Sequence, residues 1–500
     1  MGWAVAAVAL LIFKWPTLHD PHYWDALGCY VPEARFLAEH AFDWSRYRDI
    51  YFLRPPLFTG LLALFIRLVG PSREVLHAVT CVVVAGALPA TYAIARRLRV
   101  SPLGALMAVA LCLCCPSYFA QAGLVQSDGP VTSLVAVAWA LLLSGRVTAY
   151  VVCASLAVLT KESAYFLCLP AALLLATRAL ERLGESRLSR RVALGVLRAV
   201  LPAAVPCLVL FLWLLVHRAL MGTFTPGNAG EFVGPGHLLW ALRHNLLDGG
   251  RLVLVLGAAL AVVPACRRPA GSPSRLPTLE LRATAVAVLA MPLAFPGPLP
   301  RYMLPTLPLL CALAAAGLAR LRIPLRPAAA AGALLLLIAG WQGRWNRWDI
   351  AHLEVSLAYR DLLALHQQAA RELAAAHPKA ILADFPFITA ATAPPADGYL
   401  PAPLPAQVSR DDSLAALCQY DFLVEAQSSQ VVTALRVLQR HNAVTLWREL
   451  GPPPRAAAST PAGLVPLDPE RDLTVRLYRV HCPSATAARF TSWTPLARAP

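Results

Sequence analysis

Four ionisable side chains lie at the ends of long apolar runs, and their residue types suit chemistry on a phosphate. The carboxylates are Asp25 in "YWDALG" and Asp128 in "VQSDGP", and the cations are Lys161 in "LTKES" and Arg301 in "PLPRYM". A carboxylate can take the proton of an attacking hydroxyl group, and fixed cations can stabilise the charge that grows on a departing phosphate. If these side chains meet, they predict transfer of a group from a phosphate-bearing donor.

Each of these residues also has a purely structural explanation. Asp128 could cap the helix that Pro130 opens, since aspartate is a favoured N-cap and proline suits the first helical turn. Lys161 could be a lysine that snorkels at a helix end. Arg301 and Tyr302 could anchor another helix at the membrane interface. Only a shared location would favour catalysis over these explanations.

The polar loop at 19–54 follows the first apolar run and raises the question of a metal ion. It begins with "HDPH", in which His19, Asp20 and His22 are potential ligands. Their spacing matches no dedicated metal motif, and the sequence holds no clear cofactor motif. A divalent metal ion therefore stays open, with His19 and His22 as weak candidate ligands.

The composition indicates a polytopic membrane protein. Hydrophobic residues make up 58% of the 500-residue chain and charged residues 14%, with a mean hydropathy of +0.56. An ordinary globular domain is about 25% charged. The net charge of +16 comes from short arginine clusters between apolar runs. That placement is typical of cytoplasmic loops in membrane proteins and argues against nucleic-acid binding.

About 11–12 transmembrane helices are expected, since a span takes about 20 apolar residues. The first segment lacks the features of a cleaved signal peptide and is predicted to stay as a helix. With a cytoplasmic N-terminus, every arginine cluster falls on the cytoplasmic side and all four ionisable residues fall outside. Spans are predicted near residues 2–18, 76–95, 101–120, 130–145, 147–160, 164–178, 199–217, 250–266, 283–296, 302–319 and 327–341.

The segment at 55–70, "PPLFTGLLALFIRLVG", is predicted to be a juxtamembrane helix on the outer surface. Its unbroken apolar part is short and ends at Arg67, and apolar stretches of about 10–14 residues are often interfacial. A true span, paired with a twelfth, is the alternative.

Two domains are predicted, a transmembrane domain at 1–341 and an extracytoplasmic α/β domain at 342–500. The second holds a charged helical pattern at 349–376 and four strand-like stretches: "KAILADF", "QYDFLVEA", "AVTLWREL" and "LTVRLYRV". Cys418 and Cys482 could form a disulfide if this domain is exported.

The order of several motifs resembles that of the GT-C glycosyltransferases, in particular the branch of protein O-mannosyltransferases and of aminoarabinose transferases of lipid A. The resemblance covers roughly residues 1–341, and residues 342–500 carry no motif that we match. It rests on "WDALGCYVPEARFLAEHAF", "YFLRPPLFTGLLALFIRLVG", "QSDGP", "LTKESAYFLCLPAALLL" and "RYMLPTLPLL".

The resemblance implies a membrane enzyme that uses a sugar linked to a polyprenyl phosphate. It makes Asp25 the catalytic base and Asp128 a second acidic residue that orients the acceptor or a metal. The residues that handle the lipid phosphate would be Lys161, Arg301 with Tyr302, and Arg54.

This chain departs from the family pattern beside Asp25. Many relatives have Asp-Glu where this chain has Asp25-Ala26, and Tyr30 falls one place later than in the family spacing. Asp20 therefore remains an alternative base.

We therefore expect a multi-pass glycosyltransferase of the bacterial inner membrane. It would move a hexosyl or pentosyl group to a lipid, polysaccharide or protein acceptor on the outer side. One alternative is a transporter or flippase of lipid-linked sugars, which needs ionisable groups at mid-membrane and broken helices in pairs. Another is a non-catalytic scaffold, which the missing acidic residue after Asp25 leaves open.

Overall fold

The computed structural model describes residues 2–43, 46, 54–183, 190–224, 251–266, 275–294, 300–321, 325–341, 359–383, 387–394, 399–407, 413–425, 429–440, 443–450 and 475–481. These residues fall into two compact units. The first holds residues 2–18 and 33–341, and the second holds residues 19–32 and 359–481. The sequence assigned the loop at 19–54 to the transmembrane domain, whereas the structure groups its first part with the C-terminal domain.

The described residues up to 341 are almost entirely helical, because their long apolar runs can satisfy backbone hydrogen bonds without water only as helices. The helices are Gly2–Lys14 (α1), Val31–Glu39 (α2), Pro56–Val69 (α3), Arg73–Val84 (α4), Ala87–Arg97 (α5), Pro102–Cys114 (α6), Pro116–Gln121 (α7), Asp128–Leu143 (α8), Val147–Thr160 (α9), Cys168–Leu183 (α10), Arg190–Met221 (α11), Arg251–Cys266 (α12), Arg275–Ala294 (α13), Leu307–Leu318 (α14) and Leu325–Trp341 (α15).

Each predicted span coincides with one of these helices or with a consecutive pair, which confirms a polytopic helical membrane protein. Among the described residues, four helical stretches are both long and apolar enough to cross a bilayer, and six shorter helices are also apolar. The four are Arg73–Arg97, Glu162–Leu183, Arg190–Met221 and Arg301–Leu318. The segment predicted at 55–70 is a helix, and its interfacial position stays a prediction.

Exposed apolar side chains mark the surface that lipid would cover. On α11, Leu201, Leu208 and Phe211 are each more than half exposed, as a lipid-facing helix requires. Inside the unit, small residues allow close helix packing, a common feature of membrane helices. A Cβ atom on Gly317 of α14 would overlap the backbone carbonyl of Gly257 on α12, so these two helices touch through their backbones.

The second unit contains a five-stranded mixed sheet in the order β2-β1-β3-β5-β4. β1 is parallel to β2 and β3, while β5 is antiparallel to β3 and β4. The strands are Ile381–Leu382 (β1), Ala406–Gln407 (β2), Phe422–Glu425 (β3), Val444–Leu450 (β4) and Val475–Val480 (β5), and the helices are Tyr359–Ala375 (α16), Phe387–Thr392 (α17), Leu414–Leu417 (α18) and Ser429–Arg440 (α19).

The predicted α/β character of this unit is confirmed. All four strand-like stretches contain strands, and α16 lies within the charged helical pattern predicted at 349–376, whose first residues fall outside the described part of the chain. The short strand β2 carried no clear pattern in the sequence. Cys418 is disulfide-bonded, and its predicted partner, Cys482, lies outside the described residues.

Candidate active site

Asp128 and Lys161 form a buried ion pair at the meeting point of two neighbouring helices. Lys161 Nζ lies 2.5 Å from Asp128 Oδ1, and each side chain is 2% exposed. Asp128 is the first residue of α8, and Lys161 directly follows the last residue of α9. A three-residue turn joins the two helices, so they run antiparallel and bring the start of one to the end of the other. The backbone of Lys161 is extended, which ends α9 and turns the side chain into this junction.

Arg301 adds a second buried cation to this pair. Its Nε lies 3.8 Å from Asp128 Oδ2, and its Nη1 donates a hydrogen bond to Gln126 Oε1 at 3.3 Å. Tyr302 lies next to both cations, with Lys161 Nζ 4.5 Å and Arg301 Cζ 5.8 Å from its ring centroid. An aromatic face near a cation provides additional electrostatic stabilisation. We call Asp128, Lys161 and Arg301 the buried ion cluster.

The buried ion cluster carries one negative and two positive formal charges. Two buried cations that lie close together attract an anionic group. A phosphate that enters such a site would face both of them. The arrangement therefore suits binding of a phosphate and stabilisation of charge on it.

Arg54 and Glu162 form a second ion pair in the same unit. Arg54 Nη1 lies 2.7 Å from Glu162 Oε1, and the two side chains are 22% and 27% exposed. Glu162 follows Lys161 directly in the sequence. Arg54 was predicted to help bind the phosphate, and the structure gives it a carboxylate partner on the segment that carries Lys161.

Two buried side chains hold the segment that leads into Asp128. Lys14, at the end of α1, is fully buried, and its ammonium donates to the Phe119 carbonyl at 3.1 Å. His77 Nδ1 donates to the carbonyl of Gly123. A Cβ atom on Gly123 would lie 2.5 Å from Lys14 Cε, so this segment is fitted closely around the lysine.

Four of these residues were not predicted as site residues from the sequence: Lys14, His77, Gln126 and Glu162. Lys14 carried a usable signal, because it is the one charged residue in the first apolar run. Its position at the end of the run, however, is also typical of a lysine that reaches out to water. Gln126 is neutral, and nothing in its local sequence indicates a partner 175 positions away.

In the second unit, Asp25 lies between two unusual backbone conformations. Trp24 has a φ of +50°, in the left-handed region, which costs a bulky residue about 1–3 kcal/mol and occurs often at active sites. Residues Ala26–Tyr30 form a π-helical turn, another feature that is frequent at functional sites. The amides of Leu27 and Gly28 both donate to the Trp24 carbonyl, each at 3.0 Å.

The neighbours of Asp25 in the loop are mostly buried. His22 is fully buried and Tyr23 is 1% exposed. Asp20 forms an ion pair with Arg360, whose Nε lies 2.8 Å from Asp20 Oδ2. Within the described residues, no group of three or more His, Cys, Asp and Glu side chains could hold a metal ion, and the candidate ligands His19 and His22 are in no such group.

The structure thus brings together Asp128, Lys161, Arg301 and Tyr302 in the first unit. Arg54 pairs with Glu162 in that unit, whereas His19, Asp20, His22 and Asp25 belong to the second. The expected meeting of Asp25 with the buried ion cluster stays a prediction.

Apolar helices and a small α/β unit later in the chain are the elements that the sequence motifs predicted for a GT-C fold. The chain is similar to crystal structures of ArnT from Cupriavidus metallidurans, in the apo state and bound to undecaprenyl phosphate. Both match with a TM-score of 0.54 and 16% sequence identity. Each match covers 95% of this chain, and it covers 97% of the apo ArnT chain and 98% of the ligand-bound one.

The match to a cryo-EM structure of the arabinofuranosyltransferase AftD from Mycobacteria covers 96% of this chain and 40% of the AftD chain, with 15% identity and a TM-score of 0.45. No protein-family model and no curated protein matches the sequence. The likeness to the two ArnT structures confirms the GT-C fold expected from the sequence motifs, and it establishes the fold alone.

Proposed function

We propose that this protein is a glycosyltransferase that moves a sugar from a polyprenyl-phosphate donor to an acceptor hydroxyl group. The observation that carries the proposal is the buried ion cluster, in which two cations share one carboxylate next to Tyr302. The fold adds support, because a crystal structure of ArnT, which has the same fold, contains bound undecaprenyl phosphate.

In the proposed reaction, Lys161 and Arg301 hold the phosphate of the donor. The acceptor oxygen attacks the anomeric carbon, and the bond between that carbon and the phosphate oxygen breaks. The bonding electrons leave with the polyprenyl phosphate, whose growing negative charge the two cations stabilise. Asp128 holds the Lys161 side chain in place, and the proposal gives it the further task of orienting the acceptor or a metal ion.

Asp25 is proposed as the general base that takes the proton of the acceptor hydroxyl group. The left-handed Trp24 and the π-helical turn at Ala26–Tyr30 support this role, because strained backbone persists mainly where function requires it. Asp20 is less suited to the task, since its carboxylate is engaged by Arg360.

The proposed location is the bacterial inner membrane, with the C-terminal domain on the outer side. The disulfide at Cys418 supports this orientation, because disulfides persist in oxidising compartments and are rare in the cytosol. Sugar and acceptor are left open, the acceptor being a lipid, a polysaccharide or a protein.

The test is a transfer assay with the full chain in lipid nanodiscs. Purified protein is incubated with a set of undecaprenyl-phosphate sugars and with envelope extracts as acceptor, and release of undecaprenyl phosphate is measured by mass spectrometry. We expect release with one sugar class for the wild type and none for Asp25→Asn. If no donor is consumed, while the lipid-linked sugars of cells that lack the protein are unchanged in mass and amount, the proposal is wrong.

A further inference from the structure

The loop that carries Asp25 is anchored on the start of helix α16. Tyr23, two residues before Asp25, packs against Tyr359 with 5.8 Å between the ring centroids. Tyr23 is 1% and Tyr359 is 2% exposed, so this contact belongs to the core of the second unit.

A second anchor lies beside the first. Arg360 Nη2 donates to Asp20 Oδ1 at 3.0 Å, and its Nε lies 2.8 Å from Asp20 Oδ2. The guanidinium thus donates a hydrogen bond to one carboxylate oxygen and lies within ion-pair distance of the other. The Asp20 side chain is 15% exposed and the Arg360 side chain 43%. Two successive residues of α16, Tyr359 and Arg360, therefore contact two residues of the loop, Tyr23 and Asp20.

We propose that Arg360 is a positioning residue, which acts through Asp20 to hold the loop in the conformation that presents Asp25. This inference rests on the proposed role of Asp25 as the base. The left-handed backbone of Trp24 is a conformation that a bulky residue adopts only when its surroundings impose it. The anchors at Asp20 and Tyr23 lie immediately before it and supply that constraint.

The C-terminal domain therefore has a task in the reaction itself. A loop without anchors would sample other conformations, and a displacement of about 1 Å at a reacting group can cost about 100-fold in rate. The C-terminal domain fixes the conformation of the loop that carries Asp25, and helix α16 makes the contacts with that loop.

The first test measures the loop directly by hydrogen–deuterium exchange of the full-length protein in nanodiscs. We expect Arg360→Gln to speed exchange several-fold in peptides that cover residues 19–30. The matched control is Arg371→Gln, which removes an exposed arginine from the same helix and leaves exchange in the loop at the wild-type rate. Unchanged exchange in the Arg360 variant would overturn the proposal, whatever the activity of the protein.

The second test uses transfer kinetics and a double variant in which the two charges of the pair are swapped. Arg360→Gln should lower kcat by about 10–100-fold while the KM for the donor stays near the wild-type value, because Lys161 and Arg301 are intact. The double variant Asp20→Arg with Arg360→Asp restores the pair in reverse and should recover most of kcat.

The double variant also distinguishes the two candidate bases. If Asp20 were the base, the charge-swapped variant would stay inactive while the hydrogen–deuterium exchange of the loop returned to the wild-type rate, and the proposed role of Asp25 as the base, on which this inference rests, would be wrong. If the wild-type protein transfers no sugar at all, the proposed function fails, and the exchange measurement alone decides whether Arg360 holds the loop.

Discussion

The ammonium of Lys161 lies 2.5 Å from the carboxylate of Asp128, with both side chains 2% exposed. Removing the carboxylate takes away the buried partner of both Lys161 and Arg301, at a cost of about 3–5 kcal/mol. We expect Asp128→Asn to lower the melting temperature of the detergent-solubilised protein, and Lys161→Met to lower it less, because Asp128 keeps its contact with Arg301. The double variant removes one buried cation together with the carboxylate and should regain only part of the loss, because Arg301 still loses that contact.

The same three variants separate stability from transfer. If Lys161 contacts the donor phosphate, both Lys161→Met and the double variant are inactive, although their melting temperatures fall less than that of Asp128→Asn. Transfer at the wild-type rate in the double variant would mean that the pair is only structural, and the proposed phosphate site would be wrong.

Arg301 should act on binding of the donor and also on kcat, because it is proposed both to hold the phosphate and to stabilise the charge that grows on it. Arg301→Gln is expected to raise the donor KM by about 10–100-fold, since hydrogen bonds to charged groups contribute about 1.5–3 kcal/mol. Arg326→Gln is the matched control, because Arg326 is an exposed arginine at the start of α15 and should leave KM unchanged. The check is initial-rate kinetics with titrated donor, together with melting curves to show that both variants fold.

Asp25 should act mainly on kcat. Asp25→Asn removes the proton acceptor with little change in shape, and loss of a general base lowers the rate by about 10²–10⁴-fold. Glu39→Gln alters an exposed carboxylate at the end of α2 and should have no effect. An Asp25→Asn protein with full activity would remove Asp25 from the mechanism.

The sequence predicted the buried ion cluster for a physical reason. Ionisable residues inside apolar runs are costly, so Asp128, Lys161 and Arg301 stood out at the ends of runs. Successive helices reverse direction across a membrane, and the ends of alternate runs therefore lie on one side. Pattern and topology together were enough to predict that Asp128, Lys161 and Arg301 meet, whereas the meeting of Asp25 with them stays a prediction.

Contacts between distant segments could not be predicted in the same way. Arg360 and Asp20 are 340 positions apart, and neither has a local pattern that indicates the other. The loop at 19–32 was therefore grouped with the span that precedes it rather than with the C-terminal domain. Gln126 illustrates the same limit, because a neutral amide beside an aspartate is unremarkable until its partner is known.

Gly123 offers a test of how closely the segment before Asp128 is fitted. A methyl group at Gly123 would meet Lys14 Cε at 2.5 Å, whereas one at Gly60 in α3 has no atom within 4 Å. Gly123→Ala should therefore lower the melting temperature and the transfer rate, because Lys14 must move. Gly60→Ala should raise stability by about 0.8–1 kcal/mol, since alanine is favoured over glycine inside a helix. A lower melting temperature for Gly123→Ala together with a higher one for Gly60→Ala would support the close fit around Lys14. Shifts of both in the same direction would contradict it.

His366 in α16 predicts a loss of stability in mild acid. Its ring is 1% exposed and meets the Phe387 ring edge-on at 5.5 Å, and burial lowers the pKa of His366 to about 3. The unfolded chain, with a histidine pKa of about 6.5, takes up a proton as the pH falls below that value, while the folded chain stays neutral. Folding stability is therefore full above pH 6.5 and is lost as the pH falls, by about 2 kcal/mol between pH 7.5 and pH 5. Melting curves at these two pH values should differ less in His366→Leu than in the wild type or in His481→Leu, which replaces an exposed histidine. An equal difference in all three proteins would show that another group governs the acid response.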